Sequence, residues 1–180
     1  RVTLGAIYNE SSDSGVQSAS NATLSAKYDR FIAEQWYVYG NTKFQRDKFK
    51  DQRLRTELGL GGGHQLYDRS DRRLSLEAGL TQVIEDFYVA PDEDSLSLRW
   101  AANYEELFWK DLLTLFHNHE LIVPLEDSNR FVAYTKTGVR VPVADHLNTT
   151  FQVDWDYDNE PSAGNDSRDL RYLFTLGYSW

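Results

Sequence analysis

The residues best suited to chemistry lie in one short segment, His117-Asn118-His119-Glu120. If this segment is a strand, His117 and His119 point to the same side, which is a workable spacing for two metal ligands or an acid/base pair. Nothing in the spacing requires that chemistry, and we expect instead a hydrogen-bonded histidine pair at a membrane interface. We therefore assign no catalytic residue, no metal site and no cofactor.

A glycine-rich stretch offers a second candidate site. Gly59, Gly61 and Gly63 have the spacing of a loop that cradles phosphate, but no Lys-Ser or Lys-Thr follows them. The stretch also lies inside a strand pattern. We expect inward-facing glycines that make room for neighbouring long side chains and allow strong curvature.

Clusters of acidic residues form a third candidate. The turns at 92–94 and 126–127 could hold Ca²⁺ or Mg²⁺ that bridges lipopolysaccharide phosphates, because hard cations prefer clustered carboxylates. No loop has the spacing of a dedicated calcium site. We expect these turns to be solvated.

Composition limits the remaining possibilities. The chain has 180 residues, which suits one domain over 1–180, and it contains no apolar run long enough for a membrane helix. Its net charge of −9 argues against a nucleic-acid partner, and the absence of cysteine excludes a disulfide framework. A chain that opens at Arg1 without a leader is expected to be processed or trimmed.

The pattern that organises the chain is alternation of apolar and polar residues with a period of two. It is clearest near the end, where Leu170, Tyr172, Phe174, Leu176, Tyr178 and Trp180 share one face. Similar segments recur at 1–12, 18–30, 34–46 and 131–143, and a segment at 111–124 alternates poorly. Short turn-forming clusters separate them, which predicts about ten antiparallel strands joined by hairpins.

Such strands predict an all-β, closed up-and-down antiparallel barrel, in which the first strand pairs with the last. Alternation alone fits either a transmembrane barrel or a soluble lipocalin-like barrel. The apolar set is too bulky to fill a ten-stranded interior, so we expect it to face lipid. The polar face then lines the lumen.

Two residue sets support this orientation. Charges of both signs at strand centres can neutralise one another across a narrow lumen; these are Arg53, Arg55, Glu57, Arg73, Glu77, Arg99, Glu105, Asp154, Asp156 and Arg171. Aromatic residues toward strand ends suit the membrane interfaces; these are Trp36, Trp100, Trp155, Tyr172, Tyr178 and Trp180. The terminal aromatic residue, Trp180, completes a strand, which also agrees with this orientation.

Over nearly its whole length the sequence resembles the family of domains of unknown function 481, whose members are labelled salt-induced outer membrane proteins. The resemblance is carried by Leu4-Gly5, by the stretches 58–63 and 74–80, by the acidic aromatic strand 154–158 followed by Pro161, and by the close at 176–180. The terminal Trp180 replaces the more usual Phe. The family implies a small outer-membrane barrel and supplies no reaction or ligand.

Three functions remain open. The first is a non-enzymatic outer-membrane barrel with a structural, stress-related or interaction role and a lumen blocked by charged side chains. The second is a narrow pore for ions or small solutes, selective through Arg55 or Arg99. The third is a hydrolase of lipid or lipopolysaccharide that uses His117 or His119 with Ser128 or Ser95.

For the first function we expect contacts with outer-membrane lipids and lipopolysaccharide, and with the barrel-insertion machinery during biogenesis. Both termini should lie in the periplasm. The turns at 11–17, 47–51, 89–95, 126–129 and 160–167 would then lie outside.

Overall fold

A computed structural model describes residues 1–13, 16–109, 112–161 and 166–178. Ten antiparallel strands form one sheet in chain order. They are β1 (Val2–Asp13), β2 (Val16–Phe31), β3 (Trp36–Asp47), β4 (Gln52–Asp68), β5 (Arg72–Phe87), β6 (Glu93–Phe108), β7 (Leu113–Pro124), β8 (Val132–Ala144), β9 (Leu147–Asp158) and β10 (Arg168–Tyr178). The predicted all-β, up-and-down, ten-stranded sheet is confirmed.

Among the described residues, helical structure is limited to one short 3-10 turn at Lys48–Lys50, where the Asp47 side chain accepts hydrogen bonds from the backbone N–H groups of Phe49 and Lys50. In the described part of the chain, no helix has the length and apolarity needed to cross a bilayer.

Strand alternation divides the sheet into two faces. One face, called here the apolar face, carries Leu4, Leu24, Leu58, Leu80, Leu98 and Phe174, all of which are exposed. The other, called the polar face, carries the buried charged residues Asp29, Arg55, Glu57, Glu77, Arg99 and Asp154. The bulk of the buried side chains is therefore polar, the reverse of an ordinary soluble core.

The strands are strongly staggered. Directly paired residues run across the apolar face from Val2 through Tyr28, Gly40, Leu60, Leu80 and Leu98 to Val123. This row starts at the first residue of β1 and leaves the sheet near the last residue of β7, at the opposite end. Such a slanted row means that the strands tilt, as they do in barrels.

The sheet also curls around its polar face. Lys43 on β3 lies over the ring of Tyr134 on β8, and Lys50 pairs with Asp169 on β10 at 2.9 Å. These contacts join β3 and the turn that follows it to β8 and β10, which are far from β3 in the sheet order. The polar side chains are therefore enclosed by the sheet rather than spread over a flat surface.

Pairing between the first and last strands is not part of the described structure. Among the described residues every ladder joins consecutive strands, and none joins β1 to β10. The sheet is thus an open, curled sheet with β1 and β10 as its edges.

Two ends of the sheet are distinguished below. The terminal end holds Arg1 and Tyr178 together with the turns at 32–35, 69–71, 109–112 and 145–146. The loop end holds the connections at 48–51, 88–92 and 125–131 and the described residues 159–161 and 166–167 between β9 and β10; positions 14–15, between β1 and β2, lie outside the described residues. Connections at the loop end are longer on the whole.

Candidate functional site

The candidate site is the network of charged and tyrosine side chains enclosed on the polar face. Its terminal-end half centres on Glu77, which is 2% exposed. Lys27 Nζ and Arg99 Nη1 donate to its two carboxylate oxygens at 2.6 and 3.0 Å, and the Tyr37 hydroxyl donates at 2.7 Å. One carboxylate on β5 thereby links β2, β3 and β6.

The same network continues through the partners of those cations. Lys27 also donates to Asp29 at 2.6 Å, and Arg1 donates to the other oxygen of Asp29 at 2.8 Å. Arg99 makes a second ion pair, with Glu120 on β7. Three cations thus alternate with three carboxylates, which is how buried charge is tolerated in a low-dielectric environment.

A second group occupies the loop-end half of the polar face. Glu57 is 1% exposed, and it pairs with Arg55 at 2.9 Å and with Lys43 at 3.5 Å. Arg55 also reaches Glu85 at 2.8 Å. Because Lys43 also lies 4.1 Å from the centre of the Tyr134 ring, this group spans the space between β3 and β8.

Arg130, in the loop before β8, connects the same group to the loop end. It pairs with Glu93 at 2.6 Å and with Glu85 at 3.7 Å. Partial burial alone would lower the pKa of Arg130, but its hydrogen bond to Glu93 and the charges of Glu93 and Glu85 raise it overall. The guanidinium therefore stays charged and holds this loop against β5 and β6.

A third group lies on the last two strands. Arg171 pairs with Asp156 at 2.9 Å and more distantly with Asp154 at 3.9 Å. Gln152 donates to Asp154 at 2.5 Å. This group lies near the open edge at β10.

Tyrosines fill the space between the charged groups by lying across glycines. Tyr37 and Tyr39 on β3 are paired with Gly63 and Gly61 on β4. A Cβ built on Gly61 would lie 2.6 Å from the Tyr39 hydroxyl oxygen, and one on Gly63 would overlap the Tyr37 ring. The prediction that these inward glycines make room for long side chains is confirmed.

Together these groups divide the enclosed space. A cavity of about 630 Å³ lies toward the terminal end, lined by residues of nearly every strand including β1 and β10. Toward the loop end a space of about 80 Å³ lies beside Arg55, Tyr134 and Asp156. The tyrosines and ion pairs separate the two.

The predicted charged residues take different positions. Arg55, Glu57, Glu77, Arg99, Asp154, Asp156 and Arg171 lie in the three groups just described. Arg73 and Glu105 pair at 3.3 Å at the terminal end of the cavity. Arg53 lies outside the enclosed space: at the β4 bulge its exposed side chain pairs at 3.7 Å with Asp86, which lies on the apolar face.

Several members of the network were not predicted from the sequence to belong to it: Lys27, Asp29, Tyr37, Tyr39, Lys43, Glu85, Glu120 and Tyr134. Their alternation with apolar neighbours was the available signal. It shows only that each faces the polar side, and not which partner it meets.

The predicted interface aromatics also differ in position. Trp36 begins β3 and Tyr178 ends β10 at the terminal end, while Trp155 lies toward the loop end of β9. Trp100 and Tyr172 lie near the middle of their strands, β6 and β10. Trp180 lies outside the described residues.

Of the histidine segment, His117 and His119 lie on the apolar face of β7, whereas Asn118 and Glu120 lie on the polar face. Trp100 Nε1 donates to His119 Nε2 at 3.1 Å, and His117 Nδ1 lies 2.7 Å from the Thr137 hydroxyl. Ser95 is on the polar face beside Ser97, and Ser128 is in the exposed loop beyond β7. The structure therefore does not bring either serine to a histidine.

The acidic turns hold their carboxylates in local hydrogen bonds. Asp92 accepts from the backbone N–H of Phe87 at 3.0 Å, and Asp127 accepts from that of Asn129 at 3.0 Å. Within residues 1–13, 16–109, 112–161 and 166–178, no group of three or more His, Cys, Asp or Glu residues has the arrangement to hold a metal ion.

Comparison with known proteins gives one match. A model of a family described as "Protein of unknown function, DUF481" matches residues 1–180. Searches of curated proteins and of solved structures found no match.

Proposed function

Because this chain belongs to the DUF481 family, whose description assigns no function, we propose from its structure that it is an integral outer-membrane β-barrel whose interior is blocked by ion pairs. Its role is structural or in binding rather than in conduction or catalysis. The observation that carries the proposal is the inverted distribution of its side chains, with apolar residues outside and paired charges inside.

The height of the apolar face supports lipid contact. On β5 this face runs from Leu74 to Ile84, and charged residues bound it on both sides: Arg72, paired with Glu106, and Asp86, paired with Arg53. At about 3.3 Å per residue and a tilt of about 45°, that run spans about 23 Å along the membrane normal. Outer-membrane barrels carry an apolar band of about 25 Å.

Closure of the barrel is supported by stagger and by the cavity. In a tilted barrel the start of the first strand meets the end of the last. Thr3 on β1 and Thr175 on β10 both line the terminal-end cavity. In the bilayer, unpaired backbone groups at the edges of β1 and β10 would be costly, which favours pairing between them.

The connections support an orientation. Outer-membrane barrels have short periplasmic turns and longer external loops. The terminal-end turns match the short class, so we place them and both termini in the periplasm. The loop end, with the connections at 125–131 and 159–167, then faces outward.

A blocked interior follows from the side chains on the polar face. Tyr37, Tyr39, Glu57 and Glu77 are almost completely buried, and the Lys27–Glu77 ion pair joins the non-adjacent strands β2 and β5 across the interior. In apolar surroundings, separating the paired charges would cost a large free energy. A steady ion current is therefore not expected.

Two measurements test the proposal. Detergent-extracted protein should migrate faster on a gel before boiling than after it, with a β-rich circular dichroism spectrum. In planar bilayers it should give no large steady conductance. Full solubility without detergent and no shift on boiling would refute the membrane barrel, and a large steady current would refute only the blocked interior and favour the narrow pore.

A further inference from the structure

The terminal-end cavity carries more positive than negative charge, against the trend of the chain. Its described lining includes five basic side chains, Arg1, Lys27, Arg73, Arg99 and Arg140, and three acidic ones, Asp29, Glu77 and Glu105. The whole chain has a net charge of −9. A basic cavity in an acidic protein needs a physical explanation.

The excess of positive charge comes from one wall of the cavity. Arg1, Lys27 and Arg99 are matched by Asp29, Glu77 and Glu120 in the alternating chain described above. On the other wall, Arg73 and Arg140 share the single carboxylate of Glu105, at 3.3 and 3.7 Å. We call Arg73, Glu105 and Arg140 the arginine pair with its shared carboxylate.

The long distances to Glu105 and the exposure of both side chains leave Arg73 and Arg140 available to bind a ligand. The side chains of Arg73 and Arg140 are 58% and 42% exposed, whereas that of Arg99 is 9% exposed. Each guanidinium presents five N–H donors, so the single carboxylate of Glu105 cannot satisfy both Arg73 and Arg140 at these distances. Each arginine therefore keeps N–H donors with which it can bind another group or water.

The surroundings suit a small organic anion. The Arg140 guanidinium lies 5.6 Å from the centre of the Phe116 ring, which fixes the arginine beside an apolar surface. Asn103, Asn118 and Gln152 also line the cavity and offer amide groups for hydrogen bonding. A volume of about 630 Å³ is in the range of small-molecule sites.

We propose that the terminal-end cavity binds a small multivalent anion, carrying carboxylate or phosphate groups, through Arg73 and Arg140. Planar guanidinium groups bind both chemistries in a bidentate manner. In the absence of the anion, Glu105 keeps both arginines oriented. It also competes with the anion for binding to them. The site goes beyond the proposed function and depends on the curled sheet, not on membrane insertion.

Isothermal titration calorimetry tests the site on the detergent-folded full chain at low salt, with citrate and pyrophosphate as separate probes. Binding of either probe supports the site, and the stronger one identifies the preferred chemistry. Arg73→Gln and Arg140→Gln should each weaken binding about tenfold or more, since a charge-assisted hydrogen bond contributes about 1.5–3 kcal/mol. Arg53→Gln removes the same charge outside the cavity and should leave affinity unchanged.

Glu105→Gln gives the decisive result, because removing the competing carboxylate should strengthen binding several-fold. If the role of Glu105 were only structural, Glu105→Gln would not increase the affinity for the anion. If folded protein binds neither probe, or Glu105→Gln weakens binding, the site is wrong while the membrane barrel stands. If the protein folds without detergent and still binds, the membrane barrel is wrong while the site stands.

Discussion

Lys43 Nζ lies 4.1 Å from the centre of the Tyr134 ring, although Lys43 is on β3 and Tyr134 is on β8. Four strands separate them along the sheet, so the contact exists only because the sheet curls around its polar face. A cation over an aromatic ring is strongest where water is excluded. The contact therefore shows that the sheet is curved, and its two side chains help to fill the interior.

Glu77 is expected to be the most sensitive ionic residue. In Glu77→Ala, Lys27 and Arg99 lose a buried carboxylate that both contact. Breaking a buried ion pair in this way costs about 3–5 kcal/mol. Urea unfolding followed by the shift on unboiled gels should show that loss, while Glu126→Ala, in an exposed loop, should change stability by less than about 0.5 kcal/mol. Equal stability of the two variants would show that the network does not hold the sheet.

The glycines of β4 offer a matched pair of substitutions. Gly61→Ala places a methyl group against the Ala78 carbonyl and 2.6 Å from the Tyr39 hydroxyl, whereas the nearest heavy atom to a methyl group at Gly62 is 3.9 Å away. Overpacking costs about 1–3 kcal/mol, so Gly61→Ala should unfold at lower urea than Gly62→Ala. The same unfolding transition for both variants would mean that Tyr39 does not lie across Gly61.

Much of the fold follows from alternation in the sequence. The segments at 1–12, 18–30 and 34–46 agree with β1, β2 and β3 to within a few residues at each end. Segment 111–124 alternates poorly for a physical reason. On β7, His117 and His119 lie on the apolar face while Phe116 and Ile122 are buried on the polar face, so hydrophobicity does not follow the two sides.

Ion-pair partners could not be predicted in the same way. Alternation gives the face on which Glu77 and Lys27 lie, but their meeting depends on two strand registers and on the curl between β2 and β5. Arg53 shows the converse difficulty. A bulge between Gln52 and Leu54 breaks the period of two, and the side chain leaves the polar face.

Removal of the blocking tyrosines should open a conducting path. Tyr39 and Tyr134 both lie on the polar face, and each ring contacts a cation, Arg99 and Lys43 respectively. The double variant Tyr39→Ala with Tyr134→Ala should give ion current in planar bilayers where the native chain gives none. Tyr172→Ala, on the apolar face, is the matched control and should remain closed. If the double variant stays closed although folded, other side chains form the block.

Barrel closure can be tested by cross-linking because the chain has no cysteine. Thr3→Cys with Thr175→Cys places thiols on the polar face of β1 and β10, and mild oxidation should join them in the folded protein. Thr3→Cys with Phe174→Cys puts one thiol on each face and should cross-link poorly. Similar cross-linking of the two pairs, or none in either pair after scanning neighbouring polar-face positions, would argue against closure.

The most direct test of the membrane barrel is the environment of Leu80, which is exposed at the middle of the apolar run on β5. A nitroxide attached to Leu80→Cys in lipid vesicles should be relaxed strongly by oxygen and weakly by a water-soluble nickel complex. A nitroxide at Asp127→Cys, in a loop-end connection, should show the opposite preference. If the nickel complex reaches position 80 as readily as position 127, the apolar face does not lie in lipid and the proposed membrane barrel is wrong.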